Sequence, residues 1–342
     1  MPIDPLLTVL MPVRNGGRYI RESVDSILAQ SWRDFEFLII DDCSSDNTAE
    51  VLRTCAIGDS RIRICRIDSC IGTPEALNRG LELARGAFIA RMDADDVALP
   101  DRLRTQVSFM ERHPEIAVCG SGLRVYEDPK DCWIPPLSHE AICVRMLFEC
   151  PLYHPTVLMR KKVANRFRYS SDAFGAADYE FWQRIAMDGD VSFANIPQAL
   201  IRYRTHPSVD RAVYKLRQRQ VANEVRLRML ATIDLQPDAG EFACHRALSR
   251  DSADGSYPPL SDCHAWLDKI WAANRVRPFF DQDALAEELD WRWADACVKV
   301  ASFRRSDAKL VFSVAPYRPL PQRARTLTRM AWHWWKHDCK PQ

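Results

Sequence analysis

The sequence predicts an α/β fold, with a mainly parallel sheet flanked by helices and a mostly helical C-terminal region. Strand-like and helix-like segments alternate through the first half of the chain. Aspartates follow two strand-like segments, at 41–42 and at 93–96. Beyond about residue 211 the spacing of apolar residues becomes helical. We therefore predict two domains, residues 1–212 and residues 213–342.

Short apolar runs bounded by turn residues predict the strands, and apolar residues at helical spacing predict the helices. The predicted strands of the first half are residues 8–11, 35–40, 62–67 and the segment that ends at Asp93. The first predicted helix is residues 18–30, and the second follows an N-cap residue within 44–46. A third runs from Thr73 to Gly86, and a fourth starts at Pro100. In the second half we predict a strand at 156–159, a helix at 178–188, and two short strands at 191–196 and 199–203.

Composition and charge exclude several classes of protein. Apolar residues make up 47% of the 342 residues and charged residues 27%, which is ordinary for a globular protein. The formal net charge of +1 gives no global attraction toward nucleic acid, so we expect no nucleic-acid partner. The N-terminus lacks the pattern of a secretion signal, and most of the 12 cysteines lie in apolar runs. We therefore expect a cytoplasmic protein with reduced thiols.

The C-terminal segment 323–340 combines arginines with clustered tryptophans. This composition suits a helix lying in a membrane interface, which would give the protein a peripheral contact with the plasma membrane. The alternative is a terminal helix that packs its tryptophans against the catalytic domain. The sequence leaves both interpretations open.

Aspartates at strand ends are the candidate ligand-binding residues. Asp93 and Asp95 are separated by one residue, so on an extended backbone both carboxylates would share a face and could reach one Mg²⁺ or Mn²⁺. Turns are also rich in aspartate, which is the structural alternative. Asp42 could accept the imide N–H of a uracil or thymine ring, or it could cap the next helix.

Asp178 begins a predicted helix and could take a proton from an attacking hydroxyl. An aspartate in a first helical turn also stabilises the helix dipole, and spacing alone favours that role. His154 and His206 are candidate metal or phosphate contacts, although a lone histidine is more often a structural hydrogen-bonding residue. Arg202 and Arg204 could meet phosphate or could be solvated strand charges.

In this order and spacing, the motifs resemble the inverting glycosyltransferases of family 2, which have the GT-A fold. The resemblance runs from about Leu7 to Arg211. It rests on these segments: Thr8–Gly16, Ser26–Ser31, Ile39–Thr48, Gly72 with Ala76–Gly80, Met92–Asp96 with Pro100–Leu103, His154–Thr156, Asp178–Ile185 and Tyr203–Pro207.

The resemblance implies a nucleotide-sugar donor, usually a UDP- or dTDP-sugar, and a saccharide or lipid-linked saccharide acceptor. The implied nucleotide-sugar-binding residues are Pro12, Arg14, Asn15, Asp42, Asp93 and Ala94. Asp95 is the implied metal ligand, with His206 as a further candidate, and Asp178 is the implied general base. Two positions depart from the family pattern. Arg14 replaces an aromatic ring that can stack on the base, and Ala177 replaces an acidic residue.

These observations together predict a metal-dependent inverting glycosyltransferase of bacterial surface polysaccharide or lipopolysaccharide synthesis, at the inner face of the plasma membrane. Two alternative functions remain open. One is a non-catalytic nucleotide-sugar-binding protein, which the alanine at position 177 makes conceivable. The other is an Mg²⁺-dependent phosphohydrolase, which also uses strand-end aspartates, although the adjacent Asp41 and Asp42 do not have the spacing that such enzymes need.

Overall fold

A computed structural model describes residues 6–128, 130–205, 212–249, 257–301 and 317. The first half of the central sheet consists of four parallel strands in the spatial order β3-β2-β1-β4. These are β1 (Leu7–Val13), β2 (Phe35–Asp42), β3 (Ile62–Ile67) and β4 (Phe88–Arg91). Every residue of β1 and β2 is buried, as expected for strands that are covered on both faces.

Helices connect these strands and cover both faces of the sheet. The connecting helices are α1 (Ile20–Leu28), α2 (Thr48–Gly58) and α3 (Thr73–Leu83). The apolar faces of α1 and α2 share one core with the odd-numbered residues of β1, such as Val9. On the opposite face, Gly80 of α3 lies so close to Leu10 that an added Cβ would come within 2.2 Å of the leucine side chain. The predicted α/β layering is therefore confirmed.

The second half of the sheet is mixed, and the sequence did not reveal its full extent. Its strands are β5 (Val97–Ala98), β6 (Ile116–Val125), β7 (Cys132–Trp133), β8 (Leu158–Arg160) and β9 (Ser192–Tyr203). The short strand β8 lies antiparallel between β4 and β6, and β9 lies parallel to β6. β5 pairs with β9, and β7 pairs with β6.

Several predicted boundaries were wrong for identifiable reasons. The two strands predicted at 191–196 and 199–203 are the single strand β9, in which Ser121 pairs with Ile196 while Gly122 pairs with Ala199. This irregularity accommodates Pro197, which cannot donate a ladder hydrogen bond. Helix α2 follows Asn47 rather than a cap within 44–46, and α3 follows Gly72 rather than a Thr73 cap.

The remaining helices follow β4 in the chain, and the last of them form the C-terminal region. They are α4 (Arg102–Arg112), α5 (His139–Arg145), α6 (Lys161–Arg166), α7 (Ala177–Asp188), α8 (Ala212–Ala231), α9 (Ala239–Leu248), α10 (Leu260–Val276) and α11 (Gln282–Ala301). Helix α7 ends as predicted at Gly189, whose φ of 79° is left-handed. Within the described ranges, no helix combines the length and the apolar character needed to cross a membrane.

The chain divides into two compact units. One comprises Met1–Ile142 with Cys150–Ala222 and contains the sheet, and the other comprises Cys143–Glu149 with Asn223–Gln342. The predicted boundary at residues 212 and 213 stays a prediction. The predicted membrane-interface segment 323–340 lies outside the described residues.

The second unit contains a buried network of charges. Arg292 donates to Glu288 at 2.8 Å and to Glu149 at 2.9 Å, and Arg145 also pairs with Glu288. His245 accepts from the indole N–H of Trp266 and contacts the carbonyl of Leu147, so both of its ring nitrogens have protein partners. Burial lowers the pKa of His245 to about 3, so this ring stays neutral.

Candidate active site

The turns after β1 and β2 are joined to each other at the carboxyl edge of the sheet. Pro12 pairs with Ile40, which places the two strand ends side by side. Asn15, with a φ of 52°, accepts from the backbone N–H of Ser45 at 2.8 Å. Cys43 also has a left-handed φ, of 55°. Such backbone conformations in non-glycine residues are uncommon and are found preferentially at functional sites.

The adjacent carboxylates of Asp41 and Asp42 have different tasks. Asp41 accepts from Ser44 N and pairs with Arg66, so it holds the turn after β2. Asp42 accepts from the backbone N–H groups of Ile71 and Gly72, at 2.8 and 2.9 Å. A carboxylate has about four acceptor sites, so Asp42 keeps the capacity to accept from a ligand. Asp42 therefore has a structural role in the loop before α3, and its predicted base contact stays a prediction.

A cluster of three carboxylates follows β4. Asp93, Asp95 and Asp96 each offer an oxygen, and these oxygens lie within 4.8 Å of one another. The expectation that Asp93 and Asp95 share a face of extended backbone was wrong, because β4 ends at Arg91 and Ala94 and Asp95 form a turn. The turn folds the chain back, and it thereby adds Asp96 to the cluster. The serine hydroxyl of Ser23 holds the turn by donating to the carbonyl of Ala94 at 2.8 Å.

The donor set of this cluster fits a hard divalent cation. Carboxylate oxygens are the ligands that Mg²⁺ and Mn²⁺ prefer. Asp96 Oδ2 is buried and has no hydrogen-bond partner among the described residues. Burial and the neighbouring charges of Asp93 and Asp95 raise the pKa of Asp96 to about 8. A cation would offset the neighbouring negative charges that contribute to this raised pKa.

Arg204 holds the acidic turn from the end of β9. Its backbone N–H donates to Asp96 Oδ1 at 2.9 Å, and its guanidinium donates to the carbonyl of Asp95 at 2.9 Å. The same guanidinium pairs with Glu22 and lies 3.8 Å from the centre of the Tyr126 ring. Arg204 is therefore not a solvated charge, and its predicted phosphate contact stays a prediction. His206 lies outside the described residues.

One cavity of about 550 Å³ brings Asp93 and Asp178 together. It lies beyond β4, at the carboxyl edge where ligands bind in open α/β sheets. Its wall also includes Arg91 and His154, whereas Asp42 and Asp95 do not line it. His154 contacts the Tyr169 hydroxyl at 2.9 Å, and burial together with the charge of Arg91 holds its pKa well below the usual range. His154 is therefore a neutral hydrogen-bonding residue of the wall.

Asp178 lies in the first turn of α7 and is partly buried. One of its oxygens accepts from the backbone N–H of Tyr179 at 2.8 Å. Burial raises the pKa of Asp178, the positive charge of Arg91 lowers it, and the negative charge of Asp93 raises it. A carboxylate with a raised pKa that faces a cavity is suited to accept a proton.

Arg91 is a residue of the site that the sequence reasoning missed. Its side chain is buried, pairs with Asp93, and has an Nε–H with no partner among the described residues. That N–H group can donate a hydrogen bond to an oxygen of a bound ligand. A charged residue inside the apolar run of β4 was the signal in the sequence, because buried arginines are rare unless they are paired.

Comparisons with known proteins agree with this geometry. The family model described as "Glycosyl transferase family 2" matches residues 8–175. An uncharacterized glycosyltransferase of Haemophilus influenzae is 33% identical over 235 residues, which are 65% of this chain and 72% of that protein. The O-antigen biosynthesis glycosyltransferase WbnJ of Escherichia coli is 31% identical over 210 residues, 59% of this chain and 80% of that protein.

A solved structure supports the fold. The crystal structure of Staphylococcus aureus TarS 1-349 in complex with UDP-GlcNAc has a TM-score of 0.55 and 15% identity, and the match covers 90% of this chain and 89% of that one. At this identity the likeness concerns the fold, which is GT-A-like, a mixed and mostly parallel sheet flanked by helices. The family model and the Haemophilus influenzae relative confirm the resemblance stated from the motifs: this chain belongs to glycosyl transferase family 2 and is a glycosyltransferase.

Proposed function

We propose that this protein transfers a glycosyl group, with inversion, from a UDP- or dTDP-sugar to a hydroxyl acceptor. The observation that carries the proposal is that Asp93 and Asp178 line the same cavity. Asp93 also belongs to the acidic cluster after β4. A donor held at the cluster would therefore present its sugar to the cavity in which Asp178 lies.

In the proposed reaction, Asp178 accepts the proton of the acceptor hydroxyl as its oxygen bonds to the anomeric carbon. The bond from that carbon to the diphosphate breaks on the opposite face, and the nucleoside diphosphate leaves with the electron pair. A transition state of this kind has oxocarbenium-ion character. Asp178 must be ionised to act, and the positive charge of Arg91 favours that state.

The nucleotide would lie along the joined turns after β1 and β2. This proposal assigns nucleotide contacts to Pro12, Arg14, Asn15 and Asp42, and sugar or ribose contacts to Asp93 and Ala94. Arg14 is exposed, and its planar guanidinium can stack on a base. The remaining acceptor capacity of Asp42 suits the imide N–H of uracil or thymine.

Asp95 is the proposed ligand of Mg²⁺ or Mn²⁺, and Asp93 and Asp96 lie beside it. Held there, a divalent cation supplies positive charge that stabilises the departing diphosphate. His206 stays a further candidate ligand from the sequence alone.

The proposed setting is bacterial surface polysaccharide or lipopolysaccharide synthesis at the cytoplasmic face of the plasma membrane. Support comes from the relative WbnJ, whose name assigns it to O-antigen biosynthesis. We further propose that residues 1–212 carry catalysis and that segment 323–340 provides a peripheral membrane contact. Liposome co-sedimentation of the full chain and of a chain ending at residue 322 tests the contact, and equal pelleting would exclude it.

A thermal-shift screen of UDP- and dTDP-sugars, with and without Mn²⁺, tests the donor and the metal. A ligand that binds the folded state at 100 times its Kd stabilises it by about 2.7 kcal/mol. In a chain of this size, that stabilisation raises the melting temperature by several degrees. We expect the shift for at least one donor in the presence of Mn²⁺.

Asp95→Asn should remove the Mn²⁺-dependent part of the shift because it removes the proposed ligand charge. The matched control is Asp190→Asn, since Asp190 is an exposed aspartate away from the acidic cluster. The proposed function fails if no nucleoside diphosphate sugar shifts the melting temperature. The metal assignment fails if both variants keep the full Mn²⁺ effect.

A further inference from the structure

We propose that the cavity above Asp178 takes a neutral hexopyranose residue of the acceptor, stacked on the indole ring of Trp133. This inference rests on the proposed function because it assigns the acceptor side of the same site. It names the chemical class of the acceptor and the side chains that recognise it.

Exposed aromatic side chains line this cavity. Trp133 is 36% exposed, Phe174 is 46% exposed and Tyr214 is 38% exposed. Large aromatic side chains in a monomer are normally more buried, and a group of them around a cavity marks a binding surface. These rings and Asp178 line the same cavity, which therefore combines apolar area with a proton acceptor.

The rings are held in place by neighbouring groups. The indole N–H of Trp133 donates to Asp131 at 3.0 Å, and its ring lies 6.1 and 6.0 Å from the rings of Tyr153 and Tyr203. Phe174 and Tyr214 meet edge to face, with their centroids 5.5 Å apart. A ligand would therefore meet fixed aromatic faces and would not have to order flexible side chains.

A pyranose ring matches these faces. The face of an aromatic ring is electron-rich, and the axial C–H groups of a pyranose present a weakly positive, apolar face to it. The hydroxyls at the edge of the sugar remain free to reach polar groups such as Asp178. The cavity volume of about 550 Å³ lies within the usual range of small-molecule sites.

The charges of the wall disfavour an anionic acceptor. Among the described residues that line the cavity, Arg91 is the one permanent cation, and it is paired with Asp93. Asp178 adds a negative charge when it is ionised, and His154 is neutral. Among the described lining residues, the one permanent cation is therefore already compensated by Asp93, which disfavours a polyol phosphate, whereas a neutral sugar needs no cation.

Saturation-transfer NMR of the full chain with UDP and the diamagnetic cation Mg²⁺ tests this inference. The probes are methyl glycosides of glucose, galactose and N-acetylglucosamine, together with glycerol 3-phosphate and octyl glucoside. We expect at least one methyl glycoside to receive saturation mainly on the C–H protons of one ring face. Trp133→Ala should weaken its binding about tenfold, and Trp133→Phe should restore much of it. The matched control is Phe279→Ala, an exposed aromatic residue that does not line the cavity.

Three outcomes would overturn the inference. They are unchanged glycoside binding in Trp133→Ala, binding of glycerol 3-phosphate but of no glycoside, and saturation of the octyl chain in place of the sugar ring. The thermal shift with nucleotide sugars is recorded for each variant. A preserved donor shift in Trp133→Ala shows that the variant is folded, so loss of glycoside binding then reports the acceptor side. Absence of any donor shift in the unmodified chain contradicts the proposed function instead.

Discussion

Replacement of Asp178 by asparagine removes the proposed base with little change in shape. Asparagine has the size of aspartate, and its carbonyl oxygen can keep the 2.8 Å hydrogen bond from Tyr179 N. It cannot accept a proton from an attacking hydroxyl. General base catalysis contributes about 10²- to 10⁴-fold to a rate. We therefore expect kcat to fall by that factor, which corresponds to about 3 to 5.5 kcal/mol in the activation free energy.

The assay follows release of the nucleoside diphosphate during transfer, and donor binding is measured separately by thermal shift. Donor binding should change little, because the proposed donor contacts lie on other side chains. Asp172→Asn is the matched control, since Asp172 is an exposed aspartate shortly before α7. A kcat of Asp178→Asn within threefold of the unmodified enzyme, with donor binding intact, would refute the assignment of the base.

Three further predictions follow from the charges of the two units. Arg91→Met should move the acidic limb of the pH profile of kcat/KM to higher pH, because loss of the positive charge of Arg91 raises the pKa of Asp178. Binding of Mn²⁺ at pH 7 should release a proton, since Asp96 has a pKa of about 8 without metal. Calorimetry in buffers of different ionisation enthalpy measures that release, and Asp96→Asn should reduce it. Arg292→Met should lower the free energy of unfolding by about 3 to 5 kcal/mol in urea titrations, because it leaves Glu288 with an incompletely compensated buried charge.

The parallel half of the fold was predictable because its signals are local. β2 is a continuous apolar run that ends in two aspartates, and the structure gives it the bounds Phe35–Asp42. β3 has the predicted bounds Ile62–Ile67. Strands that are buried on both faces carry apolar residues throughout, so a short window of sequence is enough to find them.

The mixed half depends on contacts between distant segments, and its prediction was poorer. β8 has three residues, and its place between β4 and β6 is set by partners that lie about 40 to 70 residues away in the chain. β9 continues through Pro197 because it bulges there, between the pairs Ser121–Ile196 and Gly122–Ala199, and then resumes its pairing with β6. The sequence of β8 gives no sign of its partners, and Pro197 indicates a break in β9 but not that the strand resumes its pairing beyond it.

The residues of the candidate site also divide into those with a local sequence signal and those whose role depends on distant contacts. Asp93, Asp95 and Asp178 were predicted as site residues from their motifs, whereas the role of Arg204 depends on contacts with a turn more than 100 residues earlier. From the sequence, Arg204 was predicted either to contact phosphate or to be a solvated charge. In the structure Arg204 holds the acidic turn through Asp95 and Asp96. A residue that acts by positioning others is visible only once its partners are located.

The two residues Arg91 and Asp93 also connect the acidic cluster to the proposed base. Asp93 belongs to the cluster and to the cavity wall, and Arg91 pairs with it. The negative charge of Asp93 raises the pKa of Asp178, and the positive charge of Arg91 lowers it. A divalent cation bound at the cluster would offset the charge of Asp93, so Asp178 would lose its proton at a lower pH. The base would then be most available when the metal is present, because residues of one strand end face both the cluster and the cavity.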